Sequence, residues 1–127
     1  MKSFIFFILI LFIPISVHSE EVKLIEVAKR LTEPWGMTFV DDNNLLITEK
    51  TGDIIRVDMK TGKKYPIKHE LDFYYYGQGG LLDILYKDGY VYVSYSEDRG
   101  EGSTSTSIAR GLYDEKEIIF KNIFRAK

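Results

Sequence analysis

Runs rich in β-branched and aromatic residues are joined by Asp41-Asp42-Asn43, Lys50-Thr51-Gly52, Lys60-Thr61-Gly62 and Lys87-Asp88-Gly89. Links this short cannot carry a parallel crossover, which takes a dozen or more residues, so neighbouring strands must run antiparallel. Helical spacing of apolar residues is nearly absent after residue 20. The pattern predicts strands at 22–28, 36–40, 44–49, 53–58, 64–67, 80–86, 89–95, 107–112 and 117–120, an all-β meander.

A weak repeat narrows the architecture. Gly36-Met37-Thr38-Phe39-Val40, a turn and Leu45-Leu46-Ile47-Thr48-Glu49 are echoed by Gly80-Leu81-Leu82-Asp83-Ile84, a turn and Val91-Tyr92-Val93-Ser94-Tyr95, with an offset of 44 residues at the glycines. Four strands per unit at that period is the pattern of a β-propeller blade. Tyr90 to Tyr95 is apolar or aromatic on nearly every side chain, as expected of a sheet packed between two others. A two-sheet sandwich uses the same strands and is the rival fold. The expectation is about two four-stranded blades plus one leading strand. That set cannot close a ring, which takes typically four to eight blades, and it leaves two apolar faces in water. The segment 20–127 is therefore expected to be the N-terminal part of a propeller domain, incomplete at its C-terminus.

Residues 1–19 stand apart. Lys2 is followed by an apolar, uncharged stretch from Phe4 to Val17, broken by Pro14 and Ser16. As a helix it reaches only about 21 Å, short of the ~30 Å hydrocarbon core, so it is expected to be a signal peptide cleaved before Glu20. An uncleaved anchor is the alternative. Export to the periplasm or the medium follows, with no other membrane association. Without Lys2 the chain carries 16 Lys and Arg against 19 Asp and Glu, a charge of -3. No basic surplus exists for binding nucleic acid. The absence of cysteine excludes thiolate metal sites and cysteine nucleophiles.

In a meander running outward from a central channel, the loops entering the first strand and joining the second and third strands share one face. These are Leu31 to Trp35, Lys50 to Gly52, Leu71 to Gly79 and Glu97 to Thr106, which include the two longest loops. Within Asp72-Phe73-Tyr74-Tyr75-Tyr76-Gly77-Gln78-Gly79-Gly80, the glycines permit positive φ and close approach, so Gln78 either presents its amide to a planar or polyhydroxyl ligand or bonds backbone within a turn. The three tyrosines are expected to pack at the rim. Glu49 either contacts a ligand or, as the expected use, pairs with Lys50. Trp35 is expected as a core anchor, and Arg110 as the partner of a neighbouring carboxylate. Glu97-Asp98-Arg99-Gly100-Glu101-Gly102 is expected as a solvated loop, since its spacing matches no calcium-binding loop. His69 is placed at the end of an outer strand, away from this face. No catalytic triad, histidine pair or carboxylate dyad can be assembled.

The order Leu31-Thr32-Glu33-Pro34-Trp35-Gly36-Met37, Leu45-Leu46-Ile47-Thr48-Glu49-Lys50, Gly77-Gln78-Gly79-Gly80-Leu81-Leu82-Asp83, Val91-Tyr92-Val93-Ser94-Tyr95 and Ile108-Ala109-Arg110-Gly111 resembles the glucose/sorbosone dehydrogenase family. Within it, the pattern is most similar to the soluble aldose sugar dehydrogenases that use pyrroloquinoline quinone. The resemblance implies a six-bladed propeller with the quinone over the channel, and Gln78 in contact with quinone or sugar. It implies oxidation of the anomeric carbon of a small aldose, with a histidine as general base and calcium polarising the quinone. That histidine, the calcium ligands and the cationic quinone contacts match nothing here and are expected beyond Lys127, so the chain alone is expected to be inactive. Lys50 stands where many relatives carry arginine. The sequence names neither sugar nor electron acceptor. The rival readings are a non-catalytic extracytoplasmic propeller that binds sugar or protein, and an assembly of repeated two-blade chains.

Overall fold

A computed structural model describes residues 21–127; the expected signal peptide and its cleavage site lie outside the described residues. The strands are β1 (Pro34–Phe39), β2 (Asn44–Glu49), β3 (Ile54–Asp58), β4 (Lys64–Ile67), β5 (Leu81–Lys87), β6 (Tyr90–Asp98), β7 (Thr104–Leu112) and β8 (Lys121–Arg125). They form two antiparallel sheets, each a meander in sequence order, β1 to β4 and β5 to β8. The all-β class and the four-strand unit are thus as predicted.

The sheets pack face to face because alternate residues of each strand are apolar on the shared side. Leu46, Ile54 and Ile67 meet Leu81, Ile84, Val91, Val93, Tyr95, Ala109 and Ile118, all nearly or fully buried. Two glycines set how closely the sheets approach. A Cβ on Gly36 would lie 2.6 Å from the Asp83 carboxylate, and one on Gly80 would collide with the Lys50 carbonyl. Gly36 lies within β1 while Gly80 precedes β5, so the glycines that revealed the repeat serve one joint from non-equivalent positions.

Some expectations need correction. No leading strand forms at 22–28. Val22, Leu24 and Ile25 are exposed, whereas Val27, Ala28 and Leu31 lie against Leu45, Ile47, Ile55 and Val57 on the outer side of the first sheet. The segment covers a face instead of pairing with an edge. The strand expected at 117–120 is replaced by one bridge between Lys68 and Glu117, and pairing resumes at Lys121. Its apolarity belongs to Ile118, which is fully buried between the sheets.

Trp35 is 51% exposed and is not a core residue among the described ones. Pro34 pairs with Glu49 and Gly36 with Thr48, so Trp35 is the extra residue of a β-bulge. Bulges re-aim side chains. Trp35, Met37 and Phe39 consequently line the side of β1 facing away from the second sheet, all more than half exposed.

Candidate functional site

The start of β1, the β2–β3 turn, the link into β5 and the β6–β7 turn meet on one side, as the topology predicts. Main-chain bonds tie them together: Lys50 N–H to the Glu33 carbonyl at 2.9 Å, Leu81 N–H to the Lys50 carbonyl at 3.2 Å, Tyr74 N–H to the Ser96 carbonyl at 2.8 Å and Asp98 N–H to the Asp72 carbonyl at 3.2 Å. The β6–β7 connection is shorter than the expected 97–106 loop, because both strands extend through Asp98 and Thr104.

Gln78 sits in a tight turn closed by Gly79 N–H to the Tyr76 carbonyl at 2.8 Å. Gly77 takes the first central position with φ of +56°, which glycine adopts without a Cβ penalty, and nothing lies within 4 Å of where its Cβ would be. The segment is a turn, as one reading expects, but the Gln78 amide does not bond backbone: its side chain is exposed and has no hydrogen-bond partner among the described residues. Tyr74, Tyr75 and Tyr76 precede it in the same link and are all exposed, Tyr76 the most at 76%.

Glu49 does not pair with Lys50. Adjacent strand residues project to opposite faces, so Glu49 shares the outer side with Leu45 and Ile47, while Lys50 follows Leu46 and Thr48 toward the second sheet. Glu49 is buried and accepts the Thr32 N–H at 2.6 Å. Lys50 instead places its ammonium 3.0 Å from Glu33 Oε2 and donates to the Gly77 carbonyl at 2.8 Å. Tyr75 donates its hydroxyl to Glu33 Oε1 at 2.8 Å. The Tyr75 hydroxyl and the Lys50 ammonium hold the Glu33 carboxyl below its ordinary value, and the bond to Glu33 raises the Tyr75 phenol.

Glu97, expected in a solvated loop, is buried at 5% exposure. Its oxygens accept from Ser107 Oγ at 2.6 Å, Arg99 Nε at 2.9 Å, Arg125 at 2.7 Å and Asn122 Nδ2 at 2.8 Å. Burial opposes ionisation, but the Ser107 hydroxyl and the Arg125 and Arg99 guanidiniums outweigh it and hold the carboxyl below its ordinary value. The alternation of Val91, Val93 and Tyr95 already carried this signal, since two residues further it places Glu97 on the same inward face.

His69 lies beside the loop-rich face, not away from it. Its Nε2 is 2.8 Å from the Gly52 carbonyl and its Nδ1 accepts from Leu71 N–H at 3.3 Å, so both nitrogens are engaged. β4 ends at the same side as the β2–β3 turn, which is what antiparallel order demands. Arg110 makes no ion pair among the described residues; its guanidinium stacks 4.6 Å from the Tyr90 ring. No group of three or more His, Cys, Asp or Glu side chains able to hold a metal ion occurs among the described residues. Nor does any helix long and apolar enough to cross a membrane.

The family model described as Glucose / Sorbosone dehydrogenase matches residues 31–127. Aldose sugar dehydrogenase YliI of Escherichia coli (strain K12) is 31% identical over 105 residues, covering 76% of this chain and 28% of the relative. The solved soluble aldose sugar dehydrogenase of Escherichia coli in the apo-form superposes with a TM-score of 0.71 at 28% identity, covering 78% of this chain and 31% of that one. The PQQ-bound aldose sugar dehydrogenase of Streptomyces coelicolor superposes with a TM-score of 0.68 at 30% identity, covering 79% and 32%. The chain spans under a third of the length of the curated relatives it matches. With the family match extending from the loop before β1 through β8 and including the Gln78 turn, the chain belongs to the glucose/sorbosone dehydrogenase family.

Proposed function

We infer that residues 20–127 form the N-terminal part of a longer, exported aldose dehydrogenase that uses pyrroloquinoline quinone, with Gln78 contacting the quinone or the sugar. The observation that carries this reading is the unpartnered carboxamide of Gln78, held at an open turn on the loop-rich side of two stacked sheets in a chain of this family.

The residues present fit one wall of a quinone site. An amide supplies both a donor and an acceptor to a planar, oxygen-rich ring system, and the Gln78 side chain is exposed. When bound, the quinone supplies the hydride acceptor that lets an aldose be oxidised to its lactone. The chain's own contribution is to bind and orient through Gln78. His69 does not act as general base in this reading, because both its nitrogens are engaged within the fold. The histidine base, the calcium ligands and the cationic contacts belong to segments beyond Lys127. Packing of further sheets on both sides, as in a closed wheel, is supported by the apolar side chains left open there: Trp35, Met37 and Phe39 on β1, beside the part covered by Val27, Ala28 and Leu31, and Leu85, Leu112 and Phe124 on the second sheet, all more than half exposed. The leader at 1–19 supports a periplasmic or secreted location.

Reconstitution tests the reading. The full-length protein, stripped and reloaded with pyrroloquinoline quinone and calcium, is expected to reduce a redox dye in the presence of aldoses, and only when loaded. Gln78→Ala is expected to lower quinone affinity or sugar turnover. Sugar binding without turnover in the reloaded protein would identify a non-catalytic binding module, and unchanged affinity and turnover in Gln78→Ala would reduce Gln78 to a turn element.

A further inference from the structure

We propose that Lys50 is a positioning residue that sets the Gln78 turn for ligand contact, acting through the Gly77 carbonyl from a clamp made with Glu33 and Tyr75. This rests on the reading of Gln78 as a contact to quinone or sugar.

Lys50 holds the segment that carries Gln78 at both ends. Its ammonium donates to the Gly77 carbonyl at 2.8 Å, and its own carbonyl accepts Leu81 N–H at 3.2 Å while lying against Gly80. Gln78 is the exposed side chain between these two anchors. The Lys50 side chain is only 14% exposed. Its ammonium is committed to Glu33 Oε2 at 3.0 Å and to Gly77, with the Tyr75 ring 5.5 Å away. A cation so engaged has little capacity left for a ligand, which assigns it to support.

Glu33 is in turn fixed. Both carboxylate oxygens are used, one by Lys50 and the other by the Tyr75 hydroxyl. Its backbone sits at φ of +49°, a strained conformation for a non-glycine residue that persists only where surroundings enforce it. The result is a closed circuit from Glu33 to Lys50 to Gly77, returning through Tyr75. Ordering the turn before a ligand arrives removes that entropic cost from binding, so the circuit is expected to show in affinity.

The test is a double-mutant cycle in the full-length protein, read as the dissociation constant of pyrroloquinoline quinone titrated into stripped protein. Lys50→Met is expected to weaken binding about 5- to 10-fold, and Lys50→Arg to recover it to within about twofold. Tyr75→Phe, which removes one hydroxyl from a half-exposed ring and leaves the fold intact, is expected to weaken it about 2- to 3-fold. Lys50→Met added to Gln78→Ala is expected to cost nothing further. Normal quinone affinity together with normal sugar turnover in Gln78→Ala would overturn the reading of Gln78, and this inference with it; normal quinone affinity with lowered turnover would overturn this inference alone. Weak binding by Gln78→Ala with unchanged binding by both Lys50→Met and Tyr75→Phe would overturn the clamp alone, as would a Lys50→Met loss that adds in full to that of Gln78→Ala.

Discussion

Thr48 on β2 donates its hydroxyl to the Leu82 carbonyl on β5, across the joint between the sheets. The same oxygen accepts Gly36 N–H at 3.1 Å, so one fully buried hydroxyl links β1, β2 and β5 two residues from Lys50. Thr48→Val keeps the shape and removes both bonds. The expected cost is about 1–3 kcal/mol, since buried polar groups lose their partners. Chemical denaturation of the full-length protein measures it; a loss within error would show that the joint rests on apolar contacts alone.

The Glu97 network predicts a pH dependence of stability. Its carboxyl is held below the ordinary value of 4.5, so the unfolded chain takes up the proton first as pH falls. The stabilisation is present above that value and is lost as pH drops through the folded one. Glu97→Gln is expected to be less stable at neutral pH and to show a shallower decline below about pH 4.5. Arg99 and Arg125 are 30% and 61% exposed and regain water when unpaired, which limits the neutral-pH loss to about 1–3 kcal/mol. Parallel acid limbs in the two proteins would refute this role.

What the sequence revealed follows from which interactions are local. Short links fixed antiparallel order, and alternation found most strands and the side on which the loops gather. The Gln78 turn was legible because glycine spacing reports backbone demands directly. The bulge at Trp35 was not, since one extra residue in β1 becomes visible only against its partner β2. Adjacency in sequence suggests a Glu49–Lys50 pair, but strand geometry sends neighbours to opposite faces, and each finds another partner. Glu33 and Tyr75 are 42 residues apart and meet only because the β1 and β5 approaches fold onto the same side. Such partnerships carry no periodic signature.

Two glycines in the Gln78 segment are expected to respond differently to alanine. Gly77→Ala adds a methyl into open space at a φ of +56°, costing about 1 kcal/mol of backbone strain. Gly80→Ala combines a φ of +143° with a collision against the Lys50 carbonyl. It forces the β5 approach away from the β2–β3 turn, and the expected loss is about 2–4 kcal/mol. Thermal unfolding of the two variants compares them, and equal melting temperatures would mean that the Lys50–Gly80 contact is not maintained.

The outer faces give a prediction whose outcome depends on whether further sheets cover them. Met37 on β1 is 66% exposed and Phe124 on β8 is 53% exposed, on opposite outer sides of the two-sheet stack. If the chain is part of a longer protein, as proposed, whose neighbouring sheets cover both faces, an aspartate at either position buries an unpaired charge. Met37→Asp and Phe124→Asp are then each expected to destabilise the full-length protein by about 3 kcal/mol or more. In the segment 20–127 expressed alone, the same changes meet water, so they are expected to leave stability nearly unchanged and to reduce self-association by breaking up an apolar patch. Full-length protein that tolerates both aspartates would mean these faces stay open, which is incompatible with a closed ring.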